Sequence, residues 1–291
     1  MMDLRRSPPN SPSTIDPLMP PEMALACEKV GARKAAQDTL SLLVLGVLAG
    51  AFIALGAVVM TTVLTGADSL PWGVARLLAG VVFSLGLILI IVGGAELFTG
   101  DALMIVAFAS KRISLAALLR AWGIVYLGNI IGAIGSVVLV FLAGYHGFGG
   151  AAVGKAALSL ASAKAALPTV ELFFLALLCN VLVCLAVWMS FSAHSVADKI
   201  LVIVPPVTAF VAAGFEHSIA NLYLLPYGLA IKTWAPADFW ISIGQSAATY
   251  SGLTVASALH NVAVATVGNL IGGSLLVGIV YWFVYLRGRR A

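Results

Sequence analysis

Six long apolar runs dominate the chain, and the polar groups that interrupt them carry as much information as the runs. The pattern predicts helices over about Leu40 to Leu64, from near Gly73 to an interruption at Glu96 to Asp101, over Leu115 to Ala143, over Val170 to Phe191, through a broken segment around Gly214, and over Val262 to Leu286. A bilayer core is spanned by about 20 apolar residues in helix. The fifth segment differs from the others. One apolar run, Ile200 to Ala213, is expected to be broken by Pro205-Pro206; another spans Leu222 to Ile231; between them stands Gly214-Phe215-Glu216-His217-Ser218-Ile219-Ala220-Asn221. Neither run alone is long enough to cross, and together they are too polar in the middle for one uninterrupted helix. The pattern therefore predicts two half-helices with an unwound centre at membrane depth, which is tolerated only where protein or a water-lined cavity satisfies the backbone.

Outside these runs the chain is more polar. Met1 to Met19 is rich in Pro and Ser, which predicts disorder. In residues 22–36, Met23, Ala24, Cys27, Val30 and Gly31 alternate at helical spacing with Glu28, Lys29, Arg33 and Lys34. That predicts an amphipathic helix at the membrane surface or against the bundle. Residues 144–168 form a Gly- and Ala-rich connection expected to hold short helical pieces. The chain thus divides into an N-terminal tail with its helix (1–36), a six-span domain (37–287) and a short C-terminal tail (288–291).

Composition fixes the class. Of 291 residues 61% are hydrophobic and 10% charged, against about 25% charged in globular proteins, and the mean hydropathy is +1.06. This is an all-α polytopic membrane protein. The net charge of +4 lies in its ends and loops, which leaves no basic face for nucleic acid. Cys27, Cys179 and Cys184 are too few and too poorly spaced for a disulfide framework or a zinc site, and are expected to be buried apolar residues. No cleavable signal peptide is visible, because Met1 to Ala36 has no apolar core region. Twelve Lys and Arg side chains, from Arg5 and Arg6 through Lys111, Arg112 and Lys199 to Arg290, fall on one side of the predicted spans; Arg76, Lys155, Lys164 and Lys232 fall on the other. By the positive-inside rule both termini are expected to be cytoplasmic.

Two halves repeat. Gly94-Ala95-Glu96 breaks the second span as Gly214-Phe215-Glu216 breaks the fifth, and Gly128-Asn129-Ile130-Ile131-Gly132 matches Gly268-Asn269-Leu270-Ile271-Gly272. Three spans per half is odd, so the second half must be inverted. Inverted repeats with paired broken helices are a signature of transporters and channels, with the pathway at the repeat interface. One small-xxx-small motif is explained by close helix packing; the same motif at matching positions of both halves says more.

If the two breaks face each other, the polar inventory between them is short: Thr99 with the amides around Phe98-Thr99-Gly100, His217 and Asn221. Ionisable groups at membrane depth mark pathways, so His217 is the leading candidate for a direct role in transport. Glu216 is assigned a structural role, capping the second half-helix or bonding backbone in the break. Asn180, in mid-span, either faces the pathway or ties its helix to a loop. No chain of acidic residues lines the spans, so a metal-cation pathway lacks ligands and no cofactor is implied. An imidazole, a hydroxyl, an amide and half-helix N-termini instead suit a small monovalent anion or its neutral acid. Lys164 is placed to attract an anion before entry. Phe83, Leu87, Leu97, Phe98, Val183 and Phe210 are large enough to form dry constrictions. An anion crossing such a constriction faces a desolvation cost of several kcal/mol or more, a neutral acid far less. Because His titrates near physiological pH, His217 is expected to donate or share a proton with the entering anion, making flux pH-dependent.

Three long motifs carry a resemblance. Gly94-Ala95-Glu96-Leu97-Phe98-Thr99-Gly100, Asn180-Val181-Leu182-Val183-Cys184-Leu185-Ala186-Val187-Trp188 and Gly214 to Asn221 resemble the signatures of the formate/nitrite transporter family, and Gly268-Asn269-Leu270-Ile271-Gly272-Gly273 is similar to its sixth-span motif, over about residues 20–287. The resemblance implies an aquaporin-like fold in a homopentamer with one pore per protomer, conducting formate, nitrite or hydrosulfide across the inner membrane. It leans toward the formate branch. It also implies Thr99 and His217 in the loops that break spans two and five, Asn180 as a pore residue, Lys164 as a vestibule lysine, Phe83 and Phe210 as the outer constriction, and Leu87, Leu97 and Val183 as the inner one. Gly100-Asp101 departs from the small hydroxyl residues of the best-known formate channels. An aquaporin-type channel would want Asn-Pro-Ala at both half-helix tips, and an intramembrane enzyme a His-Glu-x-x-His or Gly-x-Ser-x-Gly motif; the chain has none of these.

Overall fold

A computed structural model describes residues 17–288, so most of the expected disordered N-terminal segment, Met1 to Met19, lies outside the described residues, as does nearly all of the C-terminal tail. The described chain is helical: α1 Pro20–Ala35, α2 Thr39–Leu64, α3 Trp72–Gly93, α4 Phe98–Asp101, α5 Ile105–Ala109, α6 Leu115–Leu142, α7 Ala152–Ala165, α8 Thr169–Ser190, α9 Val196–Ala213, α10 Ser218–Trp234, α11 Ala237–Ile243, α12 Val255–Ile271 and α13 Val280–Tyr285. Among the described residues six helical stretches are long and apolar enough to cross a membrane: α2, α3, α6, α8, α9 and the stretch Ala247–Tyr285. Their outward faces stay apolar. On α6, Leu115, Leu119, Leu127, Ile131, Ile134 and Val138 are exposed along one side, as a lipid-facing stripe requires.

The boundaries correct the reading from sequence in three places. The second span unwinds at Gly94 to Leu97 and is helical again from Phe98, so the break lies earlier than Glu96 to Asp101. Pro205-Pro206 do not interrupt the fifth span, because α9 runs through both. Proline removes an N–H and crowds the carbonyl four residues earlier, but membrane helices tolerate this where neighbours hold them. Here α3 does so, with Gly80 letting the Thr208 backbone approach closely. The sixth span begins at Val255, ahead of Val262, and contains a π-helical stretch, Gly272–Ile279.

The repeat is deeper than the motifs indicated. Helices α1 to α6 match α7 to α13, with Thr39 and Thr169 starting the first span of each half and Gly93 and Ala213 ending the second. Helix α1 packs against the bundle: Met23, Ala24 and Cys27 are buried with Leu103, Val106 and Trp188. Its partner is α7, inside the connection 144–168. Both end in the same tripeptide, Lys34-Ala35-Ala36 and Lys164-Ala165-Ala166. The Gly residues of the repeated pentapeptide bring helices together. A Cβ on Gly128 would lie 2.6 Å from the Leu43 carbonyl, and one on Gly268 would lie 2.6 Å from the Phe173 carbonyl.

Candidate functional site

Each break is built the same way. Gly94 (φ +82°) and Gly214 (φ +78°) end their helices in the left-handed conformation that favours glycine. The unwound backbone that follows finds partners on neighbouring spans. Glu96 N–H donates to Leu45 O (3.2 Å) and Glu216 N–H to Leu175 O (3.3 Å). Asn129 Oδ1 accepts from Phe98 N–H (2.9 Å), and its Nδ2 donates to Gly46 O (2.8 Å) and Glu96 O (3.0 Å). Asn269 repeats this with Ser218 N–H (2.8 Å), Ala176 O (2.6 Å) and Glu216 O (2.9 Å). These two buried asparagines explain why the repeated pentapeptide carries an amide: it satisfies polar backbone where no water is available.

The two restarted helices meet at Thr99 and His217. Thr99 Oγ1 lies 2.9 Å from His217 Nε2, and both residues are buried. His217 is the N-cap of α10, its Nδ1 accepting from Ala220 N–H at 3.1 Å. An accepting Nδ1 carries no proton, so in the neutral ring the proton sits on Nε2 and is donated to Thr99 Oγ1. A proton added at Nδ1 would displace that cap. Thr99 itself lies in the first turn of α4, not in the unwound loop. Asn180 Nδ2 donates to Thr99 O (3.0 Å) and Asn269 O (2.6 Å), tying the first break to the sixth span, while its Oδ1 is buried and unpartnered.

Two cavities open toward this centre from opposite ends. The first, about 200 Å³, is lined by Arg76, Phe83, Lys164, Phe210, Glu216 and His217 among others. The second, about 410 Å³, is lined by Arg33, Lys34, Leu87, Glu96, Leu97, Asp101 and Lys199 among others. Between them is a void of about 10 Å³ walled by Ile53, Phe83, Leu87, Leu97, Val183, Val207, Phe210 and His217, too apolar and too small for more than about one water. Phe83 and Phe210 close its first-cavity end edge to face, with ring centroids 5.8 Å apart; Leu87 and Leu97 close the other, since both also line the second cavity.

Several residues sit differently from expectation. Phe98 is not in the constriction: at the start of α4 it turns toward α6 and packs on Tyr126 (4.8 Å) and Trp122 (6.5 Å). Thr99, Asn180 and Asn221 line neither the cavities nor the void and act through hydrogen bonds from behind the wall. Glu216 neither caps α10 nor bonds backbone with its carboxylate. It pairs with Lys164 (2.7 Å) and accepts from Asn221 Nδ2 (2.7 Å), and Asn221 also donates to Asn261 Oδ1. Lys164 is therefore neither free nor simply solvated. Sequence reading missed Lys34, Asp101 and Arg76. Lys34 contacts both Glu96 and Asp101. Burial opposes its ammonium, but the two carboxylates outweigh that and hold its pKa above the ordinary lysine range. Arg76 donates to Val211 O (2.5 Å) and Ala212 O (3.3 Å) at the C-terminal end of α9. The signal for Lys34 was present, in the tripeptide it shares with Lys164.

Known proteins match this arrangement over almost the whole chain. The sequence profile described as formate/nitrite transporter covers residues 21–283. The formate channel FocA of Escherichia coli (strain K12) is 43% identical over 273 residues, 94% of this chain and 96% of FocA. The nitrite transporter NirC of the same strain is 33% identical, with 89% of each chain covered. A solved structure described as a pentameric formate channel with formate bound superposes with a TM-score of 0.82 at 41% identity, covering 86% of this chain and 98% of that one. These relatives are channels and transporters, so the chain is not an enzyme. Paired breaks clamped by Asn129 and Asn269 around a dry centre are thus features of a protein that belongs to the formate/nitrite transporter family.

Proposed function

We propose that this chain conducts formate through a passage within each protomer of a homopentamer, with residues 37–287 as the transporter domain and both termini on the cytoplasmic side of an inner membrane. The observation that carries the reading is the pair of charged cavities meeting at a dry void beside His217. The first cavity, with Arg76 and Lys164, lies at the end assigned outward by the charge distribution, and the second, with Arg33, Lys34 and Lys199, at the inward end. Their basic side chains attract a small anion. Phe83 and Phe210, then Leu87, Leu97 and Val183, strip its water. The crossing species is the neutral acid, because an unpaired charge in so apolar a gap is costly. His217 shares its Nε2 proton through the contact with Thr99, and Asn180 and Asn221 hold the two breaks in register.

Formate is favoured over nitrite because the identity to the formate channel, 43%, exceeds that to the nitrite transporter, 33%. The test is flux into proteoliposomes of the purified protein, challenged in turn with formate, nitrite and hydrosulfide at neutral and acidic pH. A response largest for formate and increased by acid supports the reading; equal responses mean the passage sorts by size and charge alone. Absence of all flux in folded protein overturns it.

A further inference from the structure

Apart from His217, which stands where the first half has Leu97, the symmetry between the halves fails at a second ionisable position. Lys34 corresponds to Lys164 and Glu96 to Glu216, but Asp101 stands where the second half has Asn221. In the second half one ammonium meets one carboxylate, and Asn221 satisfies the other carboxylate oxygen. That set is neutral, and both oxygens of its carboxylate are partnered. In the first half one ammonium serves two carboxylates: Lys34 touches Glu96 and lies 2.6 Å from Asp101 Oδ1, with the two acid side chains 8% and 2% exposed. With both ionised, the set carries net negative charge at the wall of the second cavity. Two carboxylates held on one ammonium repel each other when both are ionised, so a proton on either relieves the set.

We propose that Glu96 and Asp101, gathered on Lys34, form a proton-exchange site at the second cavity, and that Asp101 supplies there the second carboxylate that the Lys164–Glu216 pair at the first cavity lacks. The inference rests on the transport reading above. An acid leaving the void toward the second cavity loses its proton to the ionised pair. The acid's O–H bond breaks, an O–H bond forms on Glu96 or Asp101, and the anion departs past Arg33 and Lys199. Entry from that cavity runs the same step backwards. The protonated set is neutral and admits an anion; the ionised set repels it. At the first cavity the neutral Lys164–Glu216 pair imposes no such condition.

The groups around the set leave the carboxyl pair as the one to exchange. Lys34 stays charged. From α1, the Cys27 thiol is pushed up to about 12 by burial, and Glu28 is engaged by Arg112 at 2.9 Å. Arg33 and, from α9, Lys199 line the cavity as fixed positive charges. From α8 comes the buried thiol of Cys184, and from α6 Trp122 Nε1 donates to the Asp101 carbonyl at 2.8 Å.

The test compares wild type, Asp101→Asn, Glu96→Gln and Asn221→Asp in proteoliposomes of known orientation, with pH varied on one side only. Between about pH 6 and about pH 8 on the second-cavity side, formate entry from that side should fall about fivefold more steeply in wild type than in Asp101→Asn or Glu96→Gln. Varying pH on the first-cavity side should not separate wild type from those two variants, whereas Asn221→Asp should acquire a dependence there. Infrared titration provides a readout independent of transport: a protonated-carboxyl band in wild type that Asp101→Asn removes. If wild type carries no formate, the transport reading fails while the infrared titration still decides this inference. Identical one-sided pH profiles for wild type and Asp101→Asn, or a carboxyl band indifferent to Asp101, would overturn it.

Discussion

Asn129 and Asn269 make the same three hydrogen bonds, each clamping one break to a carbonyl of the neighbouring span and to the first amide of the restarted helix. Each is 0% exposed. The backbone groups they hold, on Glu96, Phe98, Glu216 and Ser218, belong to buried residues, so these bonds take the place of water and permit a broken helix at membrane depth.

Replacing either asparagine with Ala should therefore destabilise the protein strongly. Each orphaned buried backbone group costs about 1–3 kcal/mol. Thermal unfolding of the detergent-solubilised protein should show Asn129→Ala and Asn269→Ala with clearly lowered midpoints, and by similar amounts, because the partners are equivalent. A loss at only one of them would contradict the symmetry.

Thr99 acts by holding the imidazole. Thr99→Ser keeps the hydroxyl and should retain most formate flux. Thr99→Val, of similar shape but without the bond to His217 Nε2, should lose about tenfold or more, the scale of one buried hydrogen bond to a site that must be held in place. Initial rates in proteoliposomes measure both.

His217→Asn separates capping from titration. Asn is a good N-cap and should keep α10 intact, so thermal stability should change little. Formate flux should fall, and its pH dependence should change whichever side is titrated. An unchanged pH profile would exclude the ring from proton sharing.

Close helix approach makes a further, purely structural prediction. A Cβ on Gly80 would meet the Thr208 backbone at 2.7 Å, in the stretch where α9 runs on past its two prolines. Gly80→Ala should force α3 and α9 apart and lower the unfolding midpoint, whereas Gly123→Ala, with open space around it, should not.

Cys27 gives a pH prediction. Burial raises its thiol to about 12, and only the thiolate reacts with maleimides or iodoacetamide. In folded protein Cys27 should remain unlabelled at every pH below about 11, and should react once the protein is unfolded. Mass spectrometry of the labelled peptide reads both states.

Much of this arrangement is legible in the sequence for physical reasons. Runs of apolar residues must be spans, and a carboxylate, an imidazole and an amide between Gly214 and Leu222 must mark a break, because a bilayer permits neither feature for any other reason. Gly94, Gly214 and the two pentapeptides disclose the repeat because each does a backbone task that few residues can do. What hid was direction. Phe98 sits one residue from Thr99, yet its ring points to α6, and no spacing rule separates a constriction residue from one turned aside by the first turn of a helix. The N-cap of α10 is His217, not Glu216, because the carboxylate is claimed by Lys164 from a helix 52 positions away in the chain. Lys34 looked like one face of a surface helix until its match to Lys164 gave it a role.

The central claim is that formate passes the dry void between the two cavities, and Leu87 is the place to test it, since its side chain borders both the void and the second cavity. The measurement is formate flux through Leu87→Cys before and after modification with a methanethiosulfonate reagent, and again after reduction, with wild type as control because Cys27, Cys179 and Cys184 are buried. The account predicts that modification abolishes flux and that reduction restores it. Stoichiometric modification with flux unchanged would mean that formate takes another route.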